Sequence, residues 1–372
     1  MSGTGSQPLA GVTVADFSTL LPGPMATLLL AEAGAEVVKI ERPEGENMRR
    51  YTPQWGQMSA SFALLNRGKR CVALDLKEDA GRLRALEIAA AADVVVEQFR
   101  PGVMDRLGLG YQAVKAKNPR TIYCSITGYG QTGPKRDVAG HDLNYIGDAG
   151  LLALSMGEPG YRVVPPALIA DIAGGAYPAV INILLALRAR DATGEGAFLD
   201  IAMAENVLPF AFWGFAAGHT RGEWPGEGNE RLSGGSPRYR LYDTADGRVM
   251  AVAALEDKFW GAFCAAIGLP DWLRDDEKDP AATAAGVAAL VAAKGSEEWR
   301  PILAAADCCC TIVEPLKEAA RDPHFAAREV FSKTISNADG ARMPALPVPV
   351  APQFRGAHRD EESPALGEDQ AG

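Results

Sequence analysis

Three residues stand where proton transfer or acyl chemistry would need them: His141, Asp171 and Glu256. His141 lies in Ala139-Gly140-His141-Asp142-Leu143-Asn144-Tyr145, just after the glycine-dense run Gly128-Tyr-Gly-Gln-Thr-Gly-Pro134 and past the end of a predicted strand. Loops at that edge of an open parallel sheet are favoured ligand sites, and glycine allows backbone to approach a ligand closely. An imidazole there can move a proton near neutral pH, or it can simply cap or pack its own loop. The other histidines are His219, His324 and His358.

Asp171 falls in Ala170-Asp171-Ile172-Ala173-Gly174-Gly175, where a long helical pattern begins. One reading is an N-cap aspartate accepting backbone N–H bonds. The other is a carboxylate kept ionised by the helix dipole and acting as base or nucleophile, with the glycine pair admitting a ligand or a neighbouring chain. Glu256 ends the apolar stretch Val249 to Leu255, and is either a functional acid or a solvated helix-start residue. Basic residues gather as Lys39, Arg42, Arg49 and Arg50, then Arg67, Lys69 and Arg70, then Arg100 and Arg106. A few such guanidinium groups suffice for the phosphates of a nucleotide-bearing ligand.

The elements that must hold these groups alternate strand and helix. Strands are predicted at Val12 to Asp16, Glu36 to Ile40, Val72 to Leu76, Asp93 to Glu97 and Thr121 to Thr127, with helices at Gly23 to Ala33 and Ala80 to Ala92. Such alternation implies a doubly wound parallel sheet. A long helix follows from Asp171 to about Arg190, ended by Thr193-Gly194-Glu195-Gly196, then a second from Met203 to Ala217. Gly218 to Gly235 reads as a linker, and Tyr239 to Ala253 as a hairpin turning at Ala245-Asp246-Gly247. Glu256 to Leu303 is mostly helical, and the last 20 residues are polar and acidic.

A chain of 372 residues exceeds the usual size of a single core, so two domains are expected. Its formal charge of −10 argues against nucleic acid as the main partner. The six cysteines form no CxxC pair, so no metal site is expected, and the run Cys308-Cys309-Cys310 suits a reducing cytoplasm. No signal peptide is read at the start. The longest strongly apolar run, Ala179 to Leu187, falls short of a membrane span. Val12 to Arg42 imitates a dinucleotide-binding unit, with Glu41 as its acid, but the first turn is Leu21-Pro22-Gly23-Pro24 and lacks the glycines a pyrophosphate needs. The true G-x-G-x-x-G at Gly128, Gly130 and Gly133 runs into Pro134 and Lys135-Arg136-Asp137 instead of an apolar helix.

Several ordered blocks carry a resemblance: Gly34-Ala35-Glu36-Val37-Val38-Lys39-Ile40-Glu41-Arg42-Pro43, Asn66-Arg67-Gly68-Lys69-Arg70, Phe99-Arg100-Pro101-Gly102-Val103, Gly128 to Pro134, Ala170 to Gly175, Ala245-Asp246-Gly247 and Asp322-Pro323-His324. They resemble the superfamily of α-methylacyl-CoA racemases and class III CoA-transferases (CaiB/BaiF). The resemblance implies an α/β fold with a Rossmann-like large domain and an inserted smaller α+β domain, in an interlocked homodimer. The expected boundaries are 1–217 and 326–372 for the large domain, 218–235 for a linker and 236–325 for the small domain.

It also implies an acyl-CoA substrate, coenzyme A arriving as part of that substrate, and no permanently bound cofactor; the net charge and the short apolar runs argue against nucleic-acid and membrane partners. In the racemases the residues matching His141 and Asp171 are the two bases, and the one matching Glu256 supports the histidine. In the transferases the residue matching Asp171 is the nucleophile. His141 and Glu256 favour the racemase branch; Ala167, where racemases often have Asn, departs from it. Arg42, Arg100 and Arg106 are the expected CoA phosphate contacts.

Overall fold

Short apolar strands alternating with helices give a six-stranded parallel sheet. In the computed structural model, which describes residues 7–155, 162–228, 230–356 and 360–369, these are β1 (Thr13–Asp16), β2 (Glu36–Glu41), β3 (Arg70–Ala73), β4 (Val94–Glu97), β5 (Ile122–Thr127) and β6 (Phe198–Ala202). His358 and the C-terminal tripeptide lie outside the described residues. The strand order is β3-β2-β1-β4-β5-β6. Chain order therefore reverses between β1 and β4, and the crevice outside the carboxyl ends of those two strands is where such sheets take ligands.

The hydrophobic pattern located five of the six strands. The third lies at Arg70–Ala73 instead of Val72 to Leu76, because its register pairs Val38 with Arg70 and Glu41 with Ala73. The sixth, Phe-Leu-Asp-Ile-Ala, pairs parallel with β5 from Tyr123↔Phe198 to Thr127↔Ala202, and had been passed over between two helices.

Helix α1 (Pro22–Glu32) is buried along almost its whole length. Helix α2 (Asp79–Ala91) packs Ala85 and Ala89 in one cluster with Ala15, Ile40, Val95 and Tyr123. Helix α3 (Asp142–Asp148) follows β5, and α4 occupies residues 170–193. The first part of α4, Ala170–Ala176, is wound as a π-helix and the remainder, Tyr177–Thr193, as an α-helix closed by Gly194 at φ 78°. By length and mean hydropathy of 1.5 this helix could cross a bilayer, a longer apolar element than the run Ala179 to Leu187 indicated. One side of it is buried through Ala179, Ile183, Ala186, Leu187 and Arg190. Tyr177, Ile181, Leu184 and Leu185 are exposed.

The expected helix from Met203 to Ala217 is broken into α5 (Met203–Asn206), a 3₁₀ turn at Leu208–Ala211 and α6 (Phe212–Arg221). Pro209 sits at the break, where its missing N–H cannot continue the ladder. The linker expected from Gly218 starts instead within α6, which closes at Gly222 with φ 73°.

The chain divides into two units. The first comprises Met1–Ala149, Pro166–Phe210 and Pro323–Gly372, and the second Gly150–Pro165 and Ala211–Asp322. Residues 150–165 and 211–235, which the sequence reading gave to the large domain and the linker, thus group with the second unit. That unit has a three-stranded antiparallel sheet, β7 (Tyr239–Asp243), β8 (Val249–Ala253) and β9 (Cys310–Ile312). The hairpin was legible; β9, only three residues long, was not. Helices α7 (Asp257–Ile267), α8 (Pro280–Val291) and α9 (Ser296–Ala306) contribute Trp260, Phe263, Val287 and Trp299 to one core with Met250 and Ile312. Burying each such large side chain is worth about 1.5–3 kcal/mol.

Candidate active site

A cleft of about 480 Å³ opens in the first unit beyond the carboxyl ends of β1, β4 and β5. Its walls include Thr19 and Leu20 after β1, Gln98, Phe99 and Arg100 after β4, and Gly128 and Tyr129 after β5. His141, Tyr145 and Asp171 complete it. Two of the three expected catalytic residues therefore share one cleft, at the edge and switch point that the topology singles out.

His141 is the residue before α3. Its backbone N–H donates to Asn144 Oδ1 at 3.0 Å, and its carbonyl accepts the Asn144 N–H at 2.8 Å. These backbone bonds cap the helix, and the residue is exposed at the cleft.

Asp171 is not an N-cap. It lies in the first turn of the π-wound segment, with Ile169 as the cap. Its N–H donates to Asp142 Oδ1 at 3.0 Å, and the Ile172 N–H goes to the Leu168 carbonyl at 3.1 Å. Asp142, buried as the first residue of α3, thus takes the capping role and stands beside the Asp171 carboxylate. Burial pushes the Asp171 carboxyl up, the Asp142 charge adds to the rise and His141 offsets part of it, leaving it at about 6. The sequence reading had the helix dipole holding this group ionised; desolvation and a like charge outweigh the dipole. A carboxyl near 6 suits a general base at neutral pH.

The glycines around the site have a different purpose from the one expected. A Cβ on Gly128 would lie 2.3 Å from Tyr145 Cε1, and one on Gly140 2.7 Å from the same atom. They admit the Tyr145 ring, whose hydroxyl donates to the Gly140 carbonyl. Burial and the Asp171 charge raise the Tyr145 phenol, while Arg100 opposes them. The pair Gly174 and Gly175 is likewise filled from within the chain: a Cβ would meet the Met203 carbonyl oxygen at 2.6 Å and Pro22 Cβ at 3.1 Å, respectively.

Four of the nine basic residues in these clusters are structural. Lys69 pairs with Asp16 at 3.2 Å, Lys39 with Glu46 at 3.1 Å, Arg49 with Glu41 at 2.6 Å and Arg67 with Glu32 at 2.6 Å, all buried or nearly so. Burial opposes the Asp16 charge, but Lys69 and Lys39, with the Ser18 and Thr27 hydroxyls, hold that carboxyl down at about 2. Arg100 lines the cleft that holds His141 and Asp171. Arg42 lines a neighbouring cavity of about 380 Å³ together with Ile40, Leu74, Leu76, Lys77 and Leu107. The two cavities share Thr19, Leu20 and Phe99 as walls. Arg106 is exposed on the short helix Val103–Arg106. A Cβ on Gly102 would stand 3.5 Å from Arg106 Nη1 and 3.9 Å from Arg136 Nη2.

Arg136 and Asp142 were not singled out from the sequence. Arg136 had counted only as a charge unsuited to a dinucleotide helix, although its place after a glycine-rich loop was the available signal. Asp142 was hidden by its neighbour His141.

Glu256 belongs to the second unit, where it is the exposed N-cap residue of α7. The carbonyl before it, on Leu255, accepts Arg231 at 2.9 Å and Arg238 at 3.3 Å, and Arg238 also holds Asp257 and Asp276. The turn that presents Glu256 is therefore braced on both sides. No group of three or more potential metal ligands occurs among the described residues.

Comparison with known proteins places this architecture. The profile of CoA-transferase family III matches residues 9–370. The chain is 34% identical to the α-methylacyl-CoA racemase of Mus musculus, over 97% of this chain and 91% of that protein. It is 30% identical to the acetyl-CoA:oxalate CoA-transferase of Acetobacter aceti, over 98% and 94%. The crystal structure of a CaiB/BaiF family protein from Brucella suis superposes with a TM-score of 0.83 at 29% identity, covering 98% of this chain and 97% of the other. Sheet order, cleft and sequence thus agree that this chain belongs to CoA-transferase family III, the enzyme superfamily that includes the α-methylacyl-CoA racemases.

Proposed function

We propose that the protein racemises 2-methylacyl-CoA thioesters by moving the α-proton through an enolate. The observation that carries this reading is the meeting of His141 with an Asp171 carboxyl near 6 in one cleft. The thioester carbonyl acidifies the α-hydrogen. One of the two groups takes it from one face of the substrate, and the other returns a proton to the opposite face. The Asp171 and Ile172 N–H groups are already bonded, so they are not free to hold the enolate oxygen. That charge falls instead to the protonated imidazole and to Arg100 and Arg136 in the cleft walls.

The neighbouring cavity suits the nucleotide end of the thioester: an apolar floor for the base, with Arg42 and Lys77 for phosphate. Coenzyme A then arrives only as part of the substrate, with no resident cofactor or metal. Glu256 orients His141 and stabilises its charge, supplied across a homodimer by the partner subunit. The dimer is supported by the exposed Tyr177, Ile181, Leu184 and Leu185 of α4. Their i, i+4, i+7, i+8 spacing makes one apolar stripe, which a second copy would cover. The same stripe then needs no membrane, in keeping with a cytoplasmic protein.

A second reading is CoA transfer between a thioester and a carboxylic acid, with Asp171 attacking the carbonyl to form a mixed anhydride and release CoA thiolate. The similarity to a CoA-transferase and the Ala167 departure favour it. The test is incubation with a 2-methylacyl-CoA in D₂O without an acceptor acid, followed by hydroxylamine trapping and mass spectrometry of Asp171. Deuterium at the α-carbon with Asp171 unmodified supports racemisation, and both His141→Ala and Asp171→Ala then lose inversion while still binding CoA. An Asp171 adduct without deuterium exchange establishes transfer instead.

A further inference from the structure

Glu97 is a buried carboxyl that the proposed mechanism does not use. It ends β4 at 4% exposure, immediately before the Gln98-Phe99-Arg100 turn that walls the catalytic cleft. Both of its oxygens are engaged. Oε2 accepts the Phe99 N–H at 2.8 Å, and Oε1 accepts the Ser125 hydroxyl. Ser125 Oγ in turn accepts Gln131 Nε2 at 2.7 Å, and the Gln131 N–H bonds to Asp200 Oδ2 at 3.0 Å. One carboxyl therefore ties the ends of β4 and β5 to the loops that follow both. Beside it lies a separate cavity of about 220 Å³, lined by Glu97, Asp105, Tyr123 and Gln131, and also by Arg100. Arg100 is common to this cavity and to the catalytic cleft.

We propose that Glu97 is a positioning residue of the thioester site, holding the Phe99–Arg100 turn and taking up a proton when the anionic ligand binds. The proposal rests on the acyl-CoA reading, because it needs a phosphate-bearing ligand near Arg100. An anion bound there opposes the carboxylate charge, so the ligand favours protonated Glu97 and, by linkage, a protonated Glu97 favours the ligand. The groups facing Glu97 set where this occurs. Burial pushes it up, the Ser125 hydroxyl and the Phe99 N–H pull it down and Asp105 pushes it up again, leaving it at about 7. Tyr123 and Cys124 on β5 both feel its charge and are neutral at this pH. Arg100 is the cation of the adjoining cavity.

The sign follows directly. Below pH 7 Glu97 is neutral and the site binds the anion well; above pH 7 the carboxylate competes with it. A displacement of half a unit to one unit in the Glu97 midpoint corresponds to roughly three- to tenfold in affinity.

The test is calorimetric titration of free coenzyme A into the full-length protein between pH 6 and 8.5, in buffers of different ionisation enthalpy. Wild type is expected to take up a fraction of a proton near pH 7 and to lose affinity roughly three- to tenfold more steeply with pH than Glu97→Gln. The near-isosteric Gln keeps an acceptor for Phe99 but carries no charge. The ligand phosphates and the groups of the catalytic cleft are common to both proteins, so their contributions cancel. Ser125→Ala, which removes a donor that lowers the Glu97 midpoint, moves the wild-type transition to higher pH. Identical proton uptake and pH dependence in wild type and Glu97→Gln overturn the proposal alone. Failure of coenzyme A to bind either protein overturns the acyl-CoA reading and this proposal with it.

Discussion

The Asp142 carboxylate accepts the backbone N–H of Asp171 at 3.0 Å, across 29 positions of sequence. One hydrogen bond thus joins the helix that follows His141 to the helix that carries Asp171, and places a second negative charge beside the reactive carboxyl. It also makes Asp171 a poorer anion and hence a better base near neutrality.

The first consequence is a pH profile. In the direction in which Asp171 removes the α-proton, kcat/KM should rise about tenfold per pH unit toward pH 6, where the limb set by Asp171 ends. Asp142→Asn, which removes the second charge, should move that break to lower pH. Rates of α-deuterium loss from labelled thioester, measured from pH 4.5 to 8, check both; a wild-type rate unchanged across that range would exclude Asp171 as the base.

Asp171→Asn should stabilise the fold while abolishing inversion. The raised carboxyl makes ionisation unfavourable in the folded state, so its penalty begins above the unfolded value near 4 and is complete above about 6. Allowing for partial exposure, the variant should gain on the order of 1–2 kcal/mol at pH 7 and nothing below pH 4. Urea melts at pH 7 and pH 3.5 measure the difference.

Two basic residues, one in the cleft wall and one buried, should fail differently. Arg136→Ala is expected to raise KM for the thioester severalfold with Tm unchanged, since Arg136 stands in the cleft wall. Lys69→Met leaves the buried Asp16 without its 3.2 Å partner and should cost about 3 kcal/mol of stability. Thermal melts alongside steady-state kinetics separate the two; equal loss of Tm in both would contradict the assignment.

Placing charges on the exposed stripe of α4, as in Ile181→Glu with Leu185→Glu, should dissociate the proposed homodimer or prevent its assembly. Sedimentation velocity reads the change, expected as monomer or aggregate in place of dimer. A wild type that sediments as monomer at every concentration would remove the dimer and the partner subunit's Glu256 from the site.

The sheet was legible because Val-rich runs such as Val94 to Val96 alternate with longer helix-forming stretches such as Asp79–Ala91, a pattern fixed by local chain geometry. Phe198–Ala202 escaped because its first three residues are only partly covered, so its alternation of apolar and polar residues reads weakly. The placing of the arginines and lysines was legible only in part: Arg100, expected at the ligand, lines the cleft, whereas the buried ion pairs were not foreseen. Lys69 and Arg136 are alike in sequence context, and only the fold buries one against Asp16 and leaves the other in the cleft. The direction of the Asp171 shift was misread for the same reason: Asp142 is remote in sequence and becomes its neighbour only when α3 and α4 meet. The glycines were noticed correctly as points of close approach, but the approaching group is Tyr145 or Met203.

The π-wound turn at Ala170–Ala176 couples two surfaces of α4 by angular phase. A π-turn holds one residue more than an α-turn spans, and each residue of an α-helix advances the side-chain direction by about 100°. Rewound as a regular α-helix, the same residues would swing the Asp171 end by about that angle relative to Ile181 and Leu185. The direction of Asp171 relative to the apolar stripe is thus set by how this one segment is wound. Inserting a residue between Asp171 and Tyr177 should therefore be far more damaging than most changes of side chain.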